Sequence, residues 1–105
     1  MITTKILNEG FRKKYLQENL LDSVYGRRDL ARHPNTSQET LAKLSDDKDR
    51  DVRAHVARNP NTPQELLAKL ANDEALSVRC RVARNPNTPL ETLAKLATDE
   101  DNFVR

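Results

Sequence analysis

The sequence predicts an all-α fold, an α-solenoid of about three 26-residue repeats behind an N-terminal helical cap. Identical residues recur at this interval in three copies: Ala31, Ala57 and Ala83; Pro34, Pro60 and Pro86; Thr36, Thr62 and Thr88. Residues 56–79 and 82–105 share 18 identities in 24 positions, and residues 30–53 and 56–79 share 14 in 24. Each copy contains two helical signals too short to be stable alone in water, so neighbouring copies must bury their apolar sides. Either hand of the superhelix is compatible with this pattern.

The amino-acid composition agrees with helix stacking. The chain has 105 residues, which is room for a single domain. Aromatic residues make up only 4% of it, and the apolar residues are mainly leucine, alanine and valine. Such small side chains favour close packing of helices over a deep ligand pocket.

Residues 1–29 precede the repeats and are predicted to form the N-terminal cap. Apolar residues three or four positions apart predict a helix from Phe11 to Asp22 that covers the apolar end of the first repeat. A ligand-binding surface is the alternative use of these residues.

The longer predicted helix of each repeat begins at a capping box. Thr62 is the expected N-cap, Pro63 the first helical residue and Glu65 the partner three residues after the cap. Leucines then follow at helical spacing, so we expect about ten residues, ending before Asp73.

The other predicted helix is shorter. Asp51 or Ser77 is the expected N-cap, and valines four residues apart give the segment an apolar side. The segment ends before the Asn-Pro pair at 59–60 because the residue before proline is pushed out of helical geometry. About two turns remain, which leaves both an α-helix and a 3₁₀ helix open.

These residues resemble a known repeat family, the leucine-rich repeat variant. The resemblance rests on one long motif, with a later aspartate and Val-Arg pair: Val56-Ala57-Arg58-Asn59-Pro60-Asn61-Thr62-Pro63-Gln64-Glu65-Leu66-Leu67. It covers about 76 residues in three copies, at 30–55, 56–81 and 82–105. The resemblance implies an α-helix and a short or 3₁₀ helix in each repeat, stacked into a superhelix without strands; HEAT-type repeats are similar in appearance. One member of the family has a cysteine-rich N-terminal iron–sulfur module, but residues 1–29 contain no cysteine, so no cluster or other cofactor is expected.

Charge is divided between the two predicted helices, although the net formal charge is only +2. The shorter-helix segments carry eight arginines against one aspartate, whereas the longer-helix segments are acidic. Five of these arginines lack an evident partner and are predicted to form a basic stripe: Arg28, Arg32, Arg58, Arg81 and Arg84. Such a stripe suits a phosphate backbone or an acidic protein surface.

A second series of arginines repeats in step with aspartates. Asp47 and Asp73 recur at the repeat interval, so an arginine of one repeat could pair with an aspartate of its neighbour through a bidentate guanidinium. We expect structural pairing rather than ligand contact for four residues: Arg27, Arg53, Arg79 and Arg105.

The last repeat has apolar residues at two positions that are polar in the other copies. Leu90 replaces a glutamine, and Phe103 stands where an N-cap residue is expected. These side chains could fold over the end, pair with another molecule, or belong to an array that continues. We hypothesise an end-to-end homodimer through Leu90, Phe103 and Val104.

No motif for catalysis or metal binding is present in the sequence. His33 and His55 occupy different repeat positions and lack metal-ligand spacing. Cys80 matches Ala54 and is predicted to be a packing residue, with a reactive thiol beside Arg79 as the alternative. No apolar run is long enough to span a membrane, and the first ten residues lack the apolar core of a signal peptide, so we expect a cytoplasmic protein.

Together these features favour a non-catalytic protein–protein interaction module, a scaffold that presents a charged solenoid surface to an unidentified protein. The alternative is binding of a nucleic-acid phosphate backbone through the basic stripe. Single-stranded nucleic acid is disfavoured because the repeats contain almost no aromatic side chain on which a base could stack.

Overall fold

The computed structural model describes residues 23–105, and this part of the chain contains α-helices and no strands. Three helices have nine residues: α1 (Val24–Arg32), α3 (Arg50–Arg58) and α5 (Leu76–Arg84). Three have seven residues: α2 (Gln38–Leu44), α4 (Gln64–Leu70) and α6 (Leu90–Leu96). Nine- and seven-residue helices alternate, one of each per repeat, so the predicted all-α, solenoid-like fold is confirmed.

The three nine-residue helices form a central row. Helix α3 packs against α1 on one side and α5 on the other, and each seven-residue helix packs beside the nine-residue helices next to it in sequence. Both sets contribute fully buried apolar residues: Leu30, Leu41, Val52, Val56, Leu67, Val78 and Val82. Ala31 and Ala57 are also fully buried, which lets neighbouring helices of the row approach closely. The core is therefore made of the small apolar side chains that the composition predicts.

The predicted helix lengths are reversed in the structure. The helix expected to span about ten residues is the seven-residue α4, because Pro63 precedes it and Ala71 already ends it. The helix expected to have two turns is the nine-residue α3, because it begins at Arg50 rather than after Asp51. Both types are α-helical, and no 3₁₀ helix occurs between residues 23 and 105.

The predicted capping box is wrong. Pro63 is the N-cap of α4 and makes no side-chain cap, while Glu65 is exposed. Thr62 is buried instead, and its hydroxyl donates a 2.6 Å hydrogen bond to the carbonyl of Val56 in the preceding helix. The last carbonyls of a helix have no partner inside it, so this hydroxyl ends α3 rather than starting α4. The equivalent bonds join Thr36 to Leu30 and Thr88 to Val82.

The nine-residue helices also start differently from the prediction. Asp49 is the N-cap of α3, where one carboxylate oxygen accepts hydrogen bonds from the N–H groups of Asp51 and Val52 at 2.8 and 3.0 Å. Ala75 takes this position before α5 and provides no side-chain cap, so neither Asp51 nor Ser77 acts as an N-cap. The side chain that caps α3 therefore lies two residues earlier in the chain than the spacing of the valines predicts.

The predicted N-terminal helix from Phe11 to Asp22 lies outside the described residues, and the cap stays a prediction. The predicted boundary after residue 29 falls within α1, which occupies the same place in its repeat as α3 and α5. Among the helices of residues 23–105, none has the length and apolar content needed to cross a lipid bilayer.

Candidate interaction surface

A ladder of arginine–aspartate pairs joins successive repeats, as predicted. Nε of Arg53 lies 2.8 Å from a carboxylate oxygen of Asp73 in the next repeat, and the pair is largely buried. Its Nη1 also donates to the main-chain oxygen of Asp47 at 2.7 Å. The other rungs join Arg27 to Asp47 at 2.6 Å and Arg79 to Asp99 at 2.9 Å. These arginines therefore hold the repeats together and are not available to a ligand.

The aspartates of this ladder have a second partner in their own loops. Asp73 accepts a 2.8 Å hydrogen bond from the N–H of Ala75, and Asp99 accepts the equivalent bond from Asp101 at 2.9 Å. The bond from Asp101, followed by that from Arg79, lowers the pKa of Asp99 from its usual value. Each carboxylate thus also shapes the loop in which it lies. Arg105, the last arginine of the series, donates to the main-chain oxygen of Asp99 at 2.8 Å.

A second ladder, of buried asparagines, was missed by sequence reasoning. The side-chain amide of Asn59 donates to the main-chain oxygens of Ala31 and His33 at 2.8 and 2.9 Å, and its oxygen accepts from the N–H of Asn61 at 2.8 Å. Asn85 makes the equivalent contacts one repeat later. Its sequence signal is the recurrence of Asn before Pro, which by itself predicts only the end of a helix.

The basic stripe is not uniform, because two of its five arginines are paired. Arg28 lies 3.2 Å from Asp49 and 3.1 Å from Asp51, and its guanidinium sits 5.7 Å from the centre of the Tyr25 ring. Arg32 is exposed and lies 3.1 Å from Asp29. The prediction that Arg28 and Arg32 lack a partner is therefore wrong, because the helix row brings carboxylates of the same or the next helix beside them.

The remaining three, which we call the arginine cluster, are Arg58, Arg81 and Arg84. All three are exposed, and no carboxylate of residues 23–105 lies within ion-pair distance of them. Arg84 donates one hydrogen bond, of 3.2 Å, to the main-chain oxygen of Cys80. Helices α3 and α5, which carry the cluster, are neighbours in the central row, so this end of the stripe is the positively charged one.

Substitution along the repeats explains why the charge is concentrated there. One repeat position on the three nine-residue helices is occupied by Asp29, His55 and Arg81 in turn. The formal charge at this position therefore goes from negative, through neutral, to positive along the central row. Burial lowers the pKa of His55, and Arg32, Arg58 and Arg81 lower it further while Asp51 opposes them. His55 is thus set among the arginines and is neutral at pH 7.

We expect the imidazole of His55 to titrate below about pH 6.5, the ordinary pKa of histidine. Because the folded state disfavours the proton, His55 contributes its full stability above about pH 6.5, and this contribution decreases as the pH falls. The variant R81Q removes one neighbouring positive charge and should raise the midpoint. Proton NMR titration of the ring measures it, with assignment by loss of the signal in H55Q. K43Q, at an exposed lysine on α2, is the control that should leave the midpoint unchanged. A wild-type midpoint at or above 6.5, or no response to R81Q, would contradict this placement.

The predicted end-contact residues fall into two groups. Leu90 and Phe103 are 85% and 74% exposed, as a contact surface requires. Val104 is only 4% exposed and packs in the core, so it adds little to an exposed contact surface. Phe103, Arg84 and Val104 line a cavity of about 500 Å³ that lies between α5, α6 and the following turn.

Among residues 23–105, Cys80 and groups of possible metal ligands are the remaining candidates for a site. Cys80 is half-buried and packs against the core, in agreement with a packing role. Across residues 23–105, no group of three or more His, Cys, Asp or Glu side chains could hold a metal ion.

The family model described as leucine rich repeat variant matches two segments, residues 50–75 and 77–101. These two segments are leucine rich repeat variant repeats. Each matched segment covers a nine-residue helix and the seven-residue helix after it, so α3–α4 and α5–α6 are the two leucine rich repeat variant units. No match to the chain was found among curated proteins or among solved structures. The family is a non-enzymatic repeat type, which agrees with a repeat-based interaction module and names no partner.

Proposed function

We propose that this leucine rich repeat variant protein is a non-catalytic interaction module that binds an acidic surface of another protein through the arginine cluster. One observation carries the proposal. The arginines of the ladder, and Arg28 and Arg32 of the basic stripe, pair with carboxylates, whereas Arg58, Arg81 and Arg84 are exposed and face no carboxylate of the described residues.

The electrostatics of the cluster support this assignment. Three guanidinium groups on two adjacent helices repel each other. The lowered pKa of His55 makes it neutral at pH 7, so it neither adds to this positive charge nor offsets it. A ligand that carries several carboxylates relieves this repulsion and can accept bidentate hydrogen bonds from arginine. A neutral partner lacks the charge that relieves this repulsion, and a basic partner increases it.

A nucleic-acid phosphate backbone is the second candidate, because arginines on neighbouring helices also suit phosphates. Three cations give a small binding site, however, since specific binders commonly make 6–10 phosphate contacts. The carboxylates of Asp29 on α1, and of Asp49 and Asp51 at the start of α3, lie on the same row of helices and repel a long polyanion. An acidic segment of a protein, which is shorter and more irregular in charge, therefore fits better.

The test is a binding titration of the triple variant R58Q/R81Q/R84Q. We expect it to bind a glutamate-rich peptide at least tenfold more weakly than wild type, while its melting temperature stays within a few degrees because the substituted side chains are exposed. The measurement is fluorescence anisotropy of a labelled twelve-residue peptide at several salt concentrations, with a 20-base-pair DNA duplex titrated in parallel.

The matched control is K43Q/K48Q/R50Q, which removes three exposed positive charges elsewhere on the described surface. Equal loss of binding in the two variants would show a response to net charge alone and would refute a defined site. Tighter binding of the duplex than of the peptide, lost in the cluster variant, would establish the nucleic-acid candidate instead.

A further inference from the structure

The cavity between α5, α6 and the C-terminal turn has a mixed lining. Its volume is about 500 Å³, within the range of small-ligand pockets. Its apolar walls come from Leu93, Leu96, Ala97, Phe103 and Val104, and its polar walls from Arg84, Asn102 and Arg105. The aromatic ring of Phe103 is largely exposed although it lines the cavity. A cavity that is open to water and has both apolar and polar walls is therefore joined to one member of the arginine cluster.

Arg84 belongs to both surfaces, which makes them continuous. Arg81 lies three residues earlier on α5 and so on the same side of that helix as Arg84. Arg58 lies on α3, and packed helices are about 10 Å apart. An extended peptide advances about 3.3 Å per residue, so three residues carry it from one helix to the next.

We propose that this cavity, together with the arginine cluster, binds a protein segment in which one apolar side chain is followed by carboxylates within about six residues. The apolar side chain occupies the cavity beside Phe103, and the carboxylates pair with Arg84, Arg81 and Arg58. This inference rests on the proposed function and adds to it the kind of sequence that the partner presents.

Complementarity argues for this occupant over the others. A nucleic acid satisfies the arginines but leaves Leu93, Phe103 and the other apolar walls in water. A purely apolar segment fills the cavity but leaves the guanidinium groups without anions. A second copy of this chain would have to present an exposed apolar group followed by several carboxylates. Its exposed Phe103 is followed by Val104 and Arg105, and its exposed Leu90 by a single carboxylate, Glu91, within six residues.

Three labelled ten-residue peptides provide the test. The first contains one leucine followed by four glutamates, the second has asparagine in place of that leucine, and the third has glutamines in place of the glutamates. We expect the first peptide to bind wild-type protein at least tenfold more tightly than either of the others, since burial of a leucine side chain contributes at least that factor.

Two protein variants separate the cavity from the charges. A97W places a large side chain in the cavity from an exposed position at the end of α6, and should weaken the first peptide at least tenfold while leaving the second unchanged. The matched control is A94W, at an exposed position of the same helix that does not line the cavity. It should bind all three peptides as wild type does.

The outcomes distinguish this inference from the proposed function. Equal binding of the first two peptides overturns the role of the cavity and leaves the acidic-partner function standing. Equal binding of the first and third peptides overturns both. A duplex that binds more tightly than the first peptide assigns the surface to nucleic acid and also overturns both. If no peptide binds and sedimentation shows a dimer that A97W dissociates, the cavity is assigned to a second copy of this chain and the inference is overturned. Absence of both peptide binding and a dimer overturns the inference.

Discussion

The substitution Asn59→Ala is expected to lower the free energy of unfolding by about 3 kcal/mol. The side chain of Asn59 is only 1% exposed and makes three hydrogen bonds, two of them to main-chain oxygens of the preceding repeat. Alanine removes all three and leaves buried polar groups without a partner, each of which costs about 1–3 kcal/mol. Small domains have only about 5–15 kcal/mol of total stability, so the loss is a large fraction of the whole.

Urea denaturation followed by circular dichroism measures this effect. The control is Asn35→Ala, because Asn35 is exposed in the first Pro-Asn-Thr turn and, within residues 23–105, forms a hydrogen bond through its main-chain N–H and not through its side chain. We expect this control to stay within about 0.5 kcal/mol of wild type. Indistinguishable stabilities for N59A and N35A would show that the asparagine ladder contributes little.

The substitution Arg53→Ala is expected to cost about 3 kcal/mol, the lower end of the range for breaking a buried ion pair. The side chains of Arg53 and Asp73 are 13% and 10% exposed, so truncation of the arginine leaves a nearly buried carboxylate without its cation. It also removes the hydrogen bond to the main-chain oxygen of Asp47. The pKa of Arg53 is raised, chiefly by its hydrogen bond to Asp73, which agrees with a strong preference for the charged form.

A double-mutant cycle with Asp73→Ala tests the pair itself. The double variant should lose less stability than the sum of the two single variants. Each single variant leaves one nearly buried charge without its partner, whereas the double variant removes both charges. R58A is the control, since Arg58 is exposed on the same helix and should change stability by less than about 0.5 kcal/mol. Additive losses would mean that Arg53 and Asp73 act separately.

The features of this fold that depend on repetition could be predicted from the sequence. The 26-residue interval revealed the solenoid, and the parallel recurrence of Arg53 and Asp73 revealed the ladder before any geometry was known. Local capping rules were less reliable. Thr62 and Pro63 are residue types that commonly begin a helix. The hydroxyl of Thr62 is instead buried against the preceding helix, so a tertiary contact decides the role of Thr62.

The candidate site was only partly predictable for the same reason. The sequence shows no evident carboxylate partner for Arg28, but packing of α1 beside α3 brings Asp49 and Asp51 within ion-pair distance of it. Arg58, Arg81 and Arg84 remained available because no carboxylate occupies the corresponding places along α3 and α5. The cavity beside Arg84 could not be predicted, since it depends on the path of the turn that contains Phe103.

The asparagine ladder has a consequence for how such arrays lengthen. Its donors are side chains of one repeat, whereas its acceptors in the preceding repeat are main-chain oxygens, as in the bonds from Asn59 to Ala31 and from Asn85 to Ala57. Every amino acid presents the same main-chain oxygen, so a repeat needs no particular sequence in the unit before it to form these bonds. A repeat added by tandem duplication of its gene segment would thus carry the asparagine donors that bind it to the preceding repeat. Its side chains remain free to diverge on the exposed surface, as Asp29, His55 and Arg81 have done.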